Sequence, residues 1–89
     1  MFYEISYDLI TPGKDYNGLY DAIKSLGPWA HALKSSWLVQ TNLSANDIYD
    51  KLSRSLDKND YIFIVEIKLC NSSWYLNKEV ANWLEKSCK

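Results

Sequence analysis

Apolar and polar residues alternate strictly near the start of the chain. The apolar members are Tyr3, Ile5, Tyr7 and Leu9, and the polar members between them are Glu4, Ser6 and Asp8. Because successive strand side chains point to opposite faces of a sheet, this segment can bury one face and carry polar groups on the other. The pattern predicts a first strand that ends in a carboxylate, directly before a turn at residues 11–15.

Three segments carry helix signals. Apolar residues recur at helical spacing over residues 19–26, and Gly27 ends that helix. Ser44 is a favourable N-cap with Asp47 three positions later, which predicts the start of a second helix. A third, short helix is predicted over residues 77–88.

Three further segments have strand character. Residues 29–33 and 37–41 flank a short polar break and predict a β-hairpin. One face of its first strand is predicted to carry Trp29, His31 and Leu33. Residues 61–67 form the run richest in β-branched residues, which favours a central or well-paired strand.

The order strand, helix, strand, strand, helix, strand predicts one α+β domain over residues 1–89. We expect a ferredoxin-like βαββαβ arrangement: a four-stranded antiparallel sheet with two helices on one face and a short C-terminal helix. The other face must meet solvent, the C-terminal helix or a second copy. In the last strand it is expected to carry Ile62, Ile64, Glu66 and Lys68. Isoleucines mixed with charges favour a dimer surface.

Composition narrows the classes of function. The 89 residues have a net charge of −1 and no basic stripe, so phosphate-driven nucleic-acid binding is not predicted. No apolar run is long enough for a membrane span, and no basic-then-apolar leader begins the chain, so we expect a cytoplasmic protein. Cys70 and Cys88 lack metal-ligand spacing, so we expect two reduced thiols.

Four short segments together resemble a known group of proteins. They are Tyr7-Asp8-Leu9, Pro12-Gly13-Lys14-Asp15-Tyr16, Gly27-Pro28-Trp29-Ala30-His31 and Ser35-Ser36-Trp37-Leu38-Val39. In combination they are similar to small bacterial and phage proteins of the SinR family. The Tyr-Asp-Leu motif and the order of elements also resemble the ferredoxin-like CRISPR adaptation protein Cas-two and its relative VapD.

This resemblance implies a homodimer in which the first-strand aspartates of two protomers face each other. Some Cas-two-like proteins cleave RNA or DNA with a divalent metal, and Asp8 is the residue that matches. Two such carboxylates can hold one Mg²⁺ together with several waters. Alternatively, Asp8 caps backbone amides of the turn at residues 11–14.

Other candidate residues lie elsewhere in the chain. His31, the one histidine, is a candidate general acid or base, or it is a satisfied core residue. In the loop at residues 11–17, Lys14 and Asp15 supply charge, and Tyr16 supplies a ring that can stack on a base. Alternatively, the loop only makes a turn, with Tyr16 packed over the helix start.

Two functions follow from these residues. One is a Cas-two-like homodimeric, metal-dependent nuclease or a degenerate descendant of one, with Asp8 and His31 as catalytic residues. The alternative is a non-enzymatic interaction or nucleotide-binding module that uses the exposed sheet face and the loop at residues 11–17. A toxin-like role, by analogy with VapD, is a third hypothesis.

Overall fold

A computed structural model describes residues 1–88 and contains the seven predicted elements. They are β1 (Phe2–Asp8), α1 (Asn17–Lys24), β2 (Trp29–Leu33), β3 (Ser36–Gln40), α2 (Ala45–Ser53), β4 (Tyr61–Ile67) and α3 (Lys78–Ser87). The predicted N-cap is confirmed, because the Ser44 hydroxyl accepts a hydrogen bond from the Asp47 amide at 3.1 Å. Among these residues, no helix is long and apolar enough to cross a bilayer.

The four strands form one antiparallel sheet in the order β2-β3-β1-β4. β1 is central: Ile5 lies opposite Trp37 on β3 and opposite Ile64 on β4. The predicted α+β class, with a four-stranded antiparallel sheet and a C-terminal helix, is confirmed. β2 and β4 are the two edge strands, so each has one side without a strand partner among residues 1–88.

One face of the sheet, here called the first face, carries the main core. Its buried members on the strands and helices come from β1, β3 and the apolar sides of α1 and α2. They are Tyr3, Ile5, Tyr7, Trp37, Val39, Leu19, Ile23, Ile48 and Leu52. Removing a Leu or Ile side chain of this kind from water stabilises the fold by about 1.5–3 kcal/mol, so this cluster provides much of the driving force for folding.

The opposite face, here called the second face, is covered at one end only. Val80 and Leu84 of α3 form a smaller buried cluster with Ala30 and Leu69. Phe2, at the start of β1, meets the ring of Trp83 edge to face at 6.1 Å. α3 therefore covers the end of the second face near Phe2, while the end near Asp8 stays open.

The prediction that Ile62, Ile64 and Glu66 lie on the sheet face away from α1 and α2 was wrong. Ile62 and Ile64 pack against the main core, and Glu66 lies opposite Tyr3 on the first face. The second face carries Tyr61, Phe63, Val65 and Ile67, because Asp8 pairs with Tyr61. Both alternating sets of this strand are largely apolar, so the sequence pattern did not fix which one faces the helices.

The prediction that Trp29, His31 and Leu33 share one face of β2 was wrong for Leu33. Trp29 and His31 lie against the ring of Trp37 on the first face. The pairing of β2 with β3 shifts register between Ala30 and Leu33, so that Leu33 lies opposite Ser36 on the second face. A bulge of this kind redirects the side chains that follow it.

The cysteine prediction was also wrong. Cys70, which follows β4, and Cys88, at the end of α3, form a disulfide with a Cα–Cα distance of 5.4 Å. Closing a loop of 18 residues in this way stabilises a fold by about 3 kcal/mol in the chain-entropy model. Disulfides persist in oxidising surroundings, so the cytoplasmic location stays a prediction.

Gly27 is the glycine whose replacement should cost the most. Its φ is +152°, and a Cβ atom there would collide with the carbonyl oxygen of Gln40. We expect Gly27→Ala to lower the free energy of unfolding by about 2–4 kcal/mol, measured by urea denaturation.

Gly18 provides the matched control. It lies in α1, and a Cβ atom there would make only an ordinary contact with Ser55. Gly18→Ala should raise stability by about 0.5–1 kcal/mol. Equal effects of the two substitutions would contradict the close approach of Gly27 to β3.

Candidate functional site

Asp8 is the exposed last residue of β1. It lies on the second face, where it borders a shallow depression of about 340 Å³ together with Ser6, Ser35, Tyr61 and Phe63. Within residues 1–88 its carboxylate accepts no hydrogen bond from the turn that follows. The suggestion that Asp8 caps that turn is therefore wrong, and its carboxylate is free to meet a ligand or a partner.

His31 is exposed on β2 and lies over the buried ring of Trp37. The two rings stack at 4.0 Å with 9° between their planes, and the His31 Nε2 lies 3.2 Å from the Lys34 carbonyl oxygen. Trp37 lies on the first face, where its ring also contacts the Trp29 ring and its Nε1–H donates to the Tyr7 hydroxyl at 2.9 Å. His31 stacks on Trp37 and therefore lies on the first face too. The suggestion of a buried core histidine is wrong.

Asp8 and His31 consequently lie on opposite faces of the sheet and do not form one catalytic site within a protomer. Across residues 1–88, no three His, Cys, Asp or Glu side chains converge on a point that would hold a metal ion. A Mg²⁺ ion at Asp8 would need further oxygen ligands, such as the same aspartate of a second copy. The catalytic and metal-binding roles of these residues stay predictions.

The loop at residues 11–17 is fastened to the loop that follows α2. Lys14 Nζ donates to the Asp57 carboxylate at 2.9 Å and to the Ser55 carbonyl at 3.1 Å, and it lies 5.0 Å from the centre of the Tyr16 ring. The Asp57 hydrogen bond is the main cause of the raised pKa of Lys14. Asp15 is exposed, and its carboxylate accepts from the Asn17 amide at 2.8 Å.

We use the name loop lock for the hydrogen-bonded cluster of Lys14, Tyr16, Asp57 and Asp60. Asp60 is its central residue. Its carboxylate accepts from the Tyr16 hydroxyl at 2.7 Å and from the amides of Ile10 and Asp57 at 2.9 Å each. Partial burial opposes ionisation, but these hydrogen bonds outweigh it and lower the pKa of Asp60. The hydrogen bond from Lys14 likewise lowers the pKa of Asp57. Lys14 and Tyr16 are thus engaged inside the chain, and their ligand-binding roles stay predictions.

Exposed aromatic side chains lie at the open end of the second face. Tyr61 and Phe63 of β4 are each 67% exposed, directly across from Asp8 and Ser6. We call the surface formed by Asp8, Ser35, Tyr61 and Phe63 the open patch. Two large rings held on a rigid strand and left in water indicate a contact surface rather than part of the core.

A groove of about 620 Å³ lies beside the open patch on the same face. The sheet forms its floor, α3 closes one side, and the segment that carries Trp74 and Tyr75 forms a wall. Glu4 lies in the floor and accepts hydrogen bonds from the hydroxyls of Ser36 at 2.9 Å and Ser6 at 3.2 Å. The groove is mostly apolar around this carboxylate.

Most of these residues were not predicted as site candidates. The predicted uncovered face of β4 did not include Phe63, and Glu4 was named only among the polar residues of β1. Asp60 was not singled out, although an aspartate directly before a strand often accepts backbone amides. That signal could have identified the loop lock, whereas nothing in the sequence pattern placed Glu4 beneath a wall of aromatic residues.

Comparisons of the chain with protein-family models, with curated proteins and with solved structures found no match. The resemblance to SinR-family proteins, Cas-two and VapD therefore rests on the sequence motifs and stays a prediction.

Acid should weaken the loop lock. The lowered pKa values of Asp57 and Asp60 mean that their stabilising effect is present above the ordinary carboxyl pKa of 3.8 and is lost as the pH falls through the folded values. We expect Tm, followed by circular dichroism, to fall steeply below about pH 4. Asp60→Asn should lower Tm near neutral pH and flatten this acid dependence.

Asp50→Asn is the matched control, since the Asp50 side chain is exposed on α2 and makes no hydrogen bond within residues 1–88. Its Tm profile should follow that of the wild type. A profile of Asp60→Asn that coincides with the wild type at every pH would show that the loop lock does not contribute to stability.

Proposed function

We propose that this protein is a non-enzymatic interaction module that forms a homodimer through the open patch. The observation that supports this most directly is the exposure of Tyr61 and Phe63 beside Asp8 on a rigid sheet face. Burial of a Phe or Tyr side chain removes about 150–250 Å² from water, which makes such rings strong anchors for a partner. A two-fold dimer lets the same patch meet itself.

β4, the edge strand beside the open patch, is accessible to a second copy of the chain. β4 pairs with β1 in unbroken register over seven residues and has no strand partner on its outer side within residues 1–88. Exposed edges are often protected by charged side chains, Pro or a bulge. β4 has no Pro and no bulge, and its one charged residue, Glu66, lies on the first face, away from the open patch. β2, the other edge, does contain such an irregularity. Self-association is therefore favoured on the β4 side.

We further propose that the domain has ferredoxin-like topology, in the manner of Cas-two. The strand order and the packing of α1 and α2 into one cluster with β1 support this assignment. In that family the first-strand aspartates meet across the dimer. Asp8 of this chain lies at the margin of the open patch, where face-to-face pairing would bring two copies of it together.

Replacing one ring with a charge should separate the protomers. We expect Phe63→Lys to convert the dimer to a monomer at micromolar concentration, measured by gel filtration with light scattering, because two buried ammonium groups would repel each other. The fold should be retained, since this side chain is 67% exposed.

Trp29→Lys is the matched control, because Trp29 is 40% exposed on β2, the opposite edge strand, where its ring lies against Trp37 on the first face. It should leave the dimer intact. A wild-type protein that is monomeric at every concentration tested would contradict the proposal, as would a Phe63→Lys variant that dimerises like the wild type.

A second candidate function, a Mg²⁺-dependent nuclease, is favoured by the free carboxylate of Asp8 at the patch. Two such carboxylates near a two-fold axis repel each other, and a shared Mg²⁺ would remove the repulsion while polarising a phosphate oxygen. This function depends on the same dimer. The near-neutral net charge of −1 favours the non-enzymatic module over it.

Asp8→Asn separates the two functions. If the aspartates share a metal, Mg²⁺ should tighten the wild-type dimer and support cleavage of single-stranded RNA, and Asp8→Asn should abolish both effects. The variant should dimerise without Mg²⁺ at least as tightly as the wild type, because the repulsion is gone. Cleavage by the variant at the wild-type rate, or no cleavage by either protein, would rule out the nuclease.

A further inference from the structure

The groove beside the open patch has the size of a small-molecule site. Its volume of about 620 Å³ lies within the range of typical ligand pockets, roughly 300–1,000 Å³. Leu38 and Ile67 form its sheet side, and Leu84 of α3 and Leu76 close other parts of it. The lining is mainly apolar, so the larger part of any ligand in it must be apolar too.

A single acidic group lies in the floor of this groove. Glu4 is half-buried, and one of its two carboxylate oxygens accepts both serine hydroxyls. Ser36, one of the donors, is only 7% exposed, so the carboxylate is held from below by a buried polar side chain. Within residues 1–88 the second oxygen receives no hydrogen bond.

Glu4 also lacks a positive partner. The ion pair found in residues 1–88 joins Lys14 to Asp57 and lies away from the groove. Lys68 lines the groove but is not within ion-pair distance of Glu4. A carboxylate in apolar surroundings is costly unless a cation or donors satisfy it, and here half of its accepting capacity is unused.

The segment that forms the wall of the groove is tethered at its start. The disulfide between Cys70 and Cys88 ties the segment after β4 to the end of α3. Farther along that segment, the rings of Trp74 and Tyr75 are 41% and 101% exposed at the groove. The tether restricts the segment before a ligand arrives, which lowers the entropic cost of ordering it around that ligand.

We propose that this groove binds a small organic cation that joins an aromatic body to a primary amine. The amine would donate to the free oxygen of Glu4, and the aromatic body would pack on the apolar floor beside Trp74 and Tyr75. The charged hydrogen bond and the aromatic stacking would both contribute to binding. The proposed ligand contacts do not include the four residues of the open patch, so the two proposals can be tested with separate variants.

Tryptamine is the probe, and tryptophol, which replaces its amine with a hydroxyl, is the neutral comparison. In ¹H–¹⁵N spectra of the full chain, tryptamine should shift the amides of Leu38, Ile67 and Leu76 saturably by about 1 mM. Tryptophol should bind about tenfold more weakly or worse, because it lacks the charge that pairs with Glu4.

Glu4→Gln should weaken tryptamine about tenfold and leave tryptophol unchanged, since Gln still accepts the two serine hydroxyls. Glu66→Gln, an exposed change on the first face, should behave as the wild type. Trp74→Ala should weaken both probes. Equal affinity for the two probes, equal affinity of Glu4→Gln and wild type for tryptamine, or no saturable shift would each overturn the proposal.

Discussion

The fold depends on the pairing of β1 with neighbours on both of its sides. Ile5, at its middle, is fully buried and lies between Trp37 and Ile64. Because β1 pairs with a strand on each side, its alternating side chains determine which residues lie on each face of the sheet. The odd residues meet α1 and α2, and the even residues bring Glu4 and Asp8 to the second face.

The second face consequently has two distinct regions on one rigid sheet. α3 and the disulfide-linked segment cover the end near Phe2 and enclose the groove above Glu4. The opposite end carries the open patch, with its two exposed rings. The loop lock fastens the connections at that end through Asp60, so the strand end that carries Asp8 is held without using Asp8 itself.

The sequence was sufficient for the elements and the fold class, because these depend on local pattern. The β4 run was placed at its observed bounds, and the Ser44 cap was placed correctly. The face of β4 was not predictable, since its two alternating sets are both apolar. The shift of Leu33 and the Cys70–Cys88 bond depend on tertiary contacts, which no spacing rule in the chain reports.

The positions of the candidate site residues were also only partly predictable from the sequence. Asp8 was correctly expected at the end of β1, on its polar side. Its proposed partner in catalysis, His31, was chosen for its residue type and its place in the Gly27–His31 motif, neither of which specifies a face, and the sheet separates the two residues. Lys14 and Tyr16 were expected near Asp8 because they follow it in the chain, but their hydrogen bonds point to the loop after α2.

We propose that two copies of this chain meet at the open patch, which concentration-dependent ¹H–¹⁵N spectra of the wild-type protein can test. Dilution should shift the amides of Asp8, Ser35, Tyr61 and Phe63 together, while those on the outer surfaces of α1 and α2 stay constant. Shifts centred on the helices, or spectra unchanged across the dilution series, would contradict it.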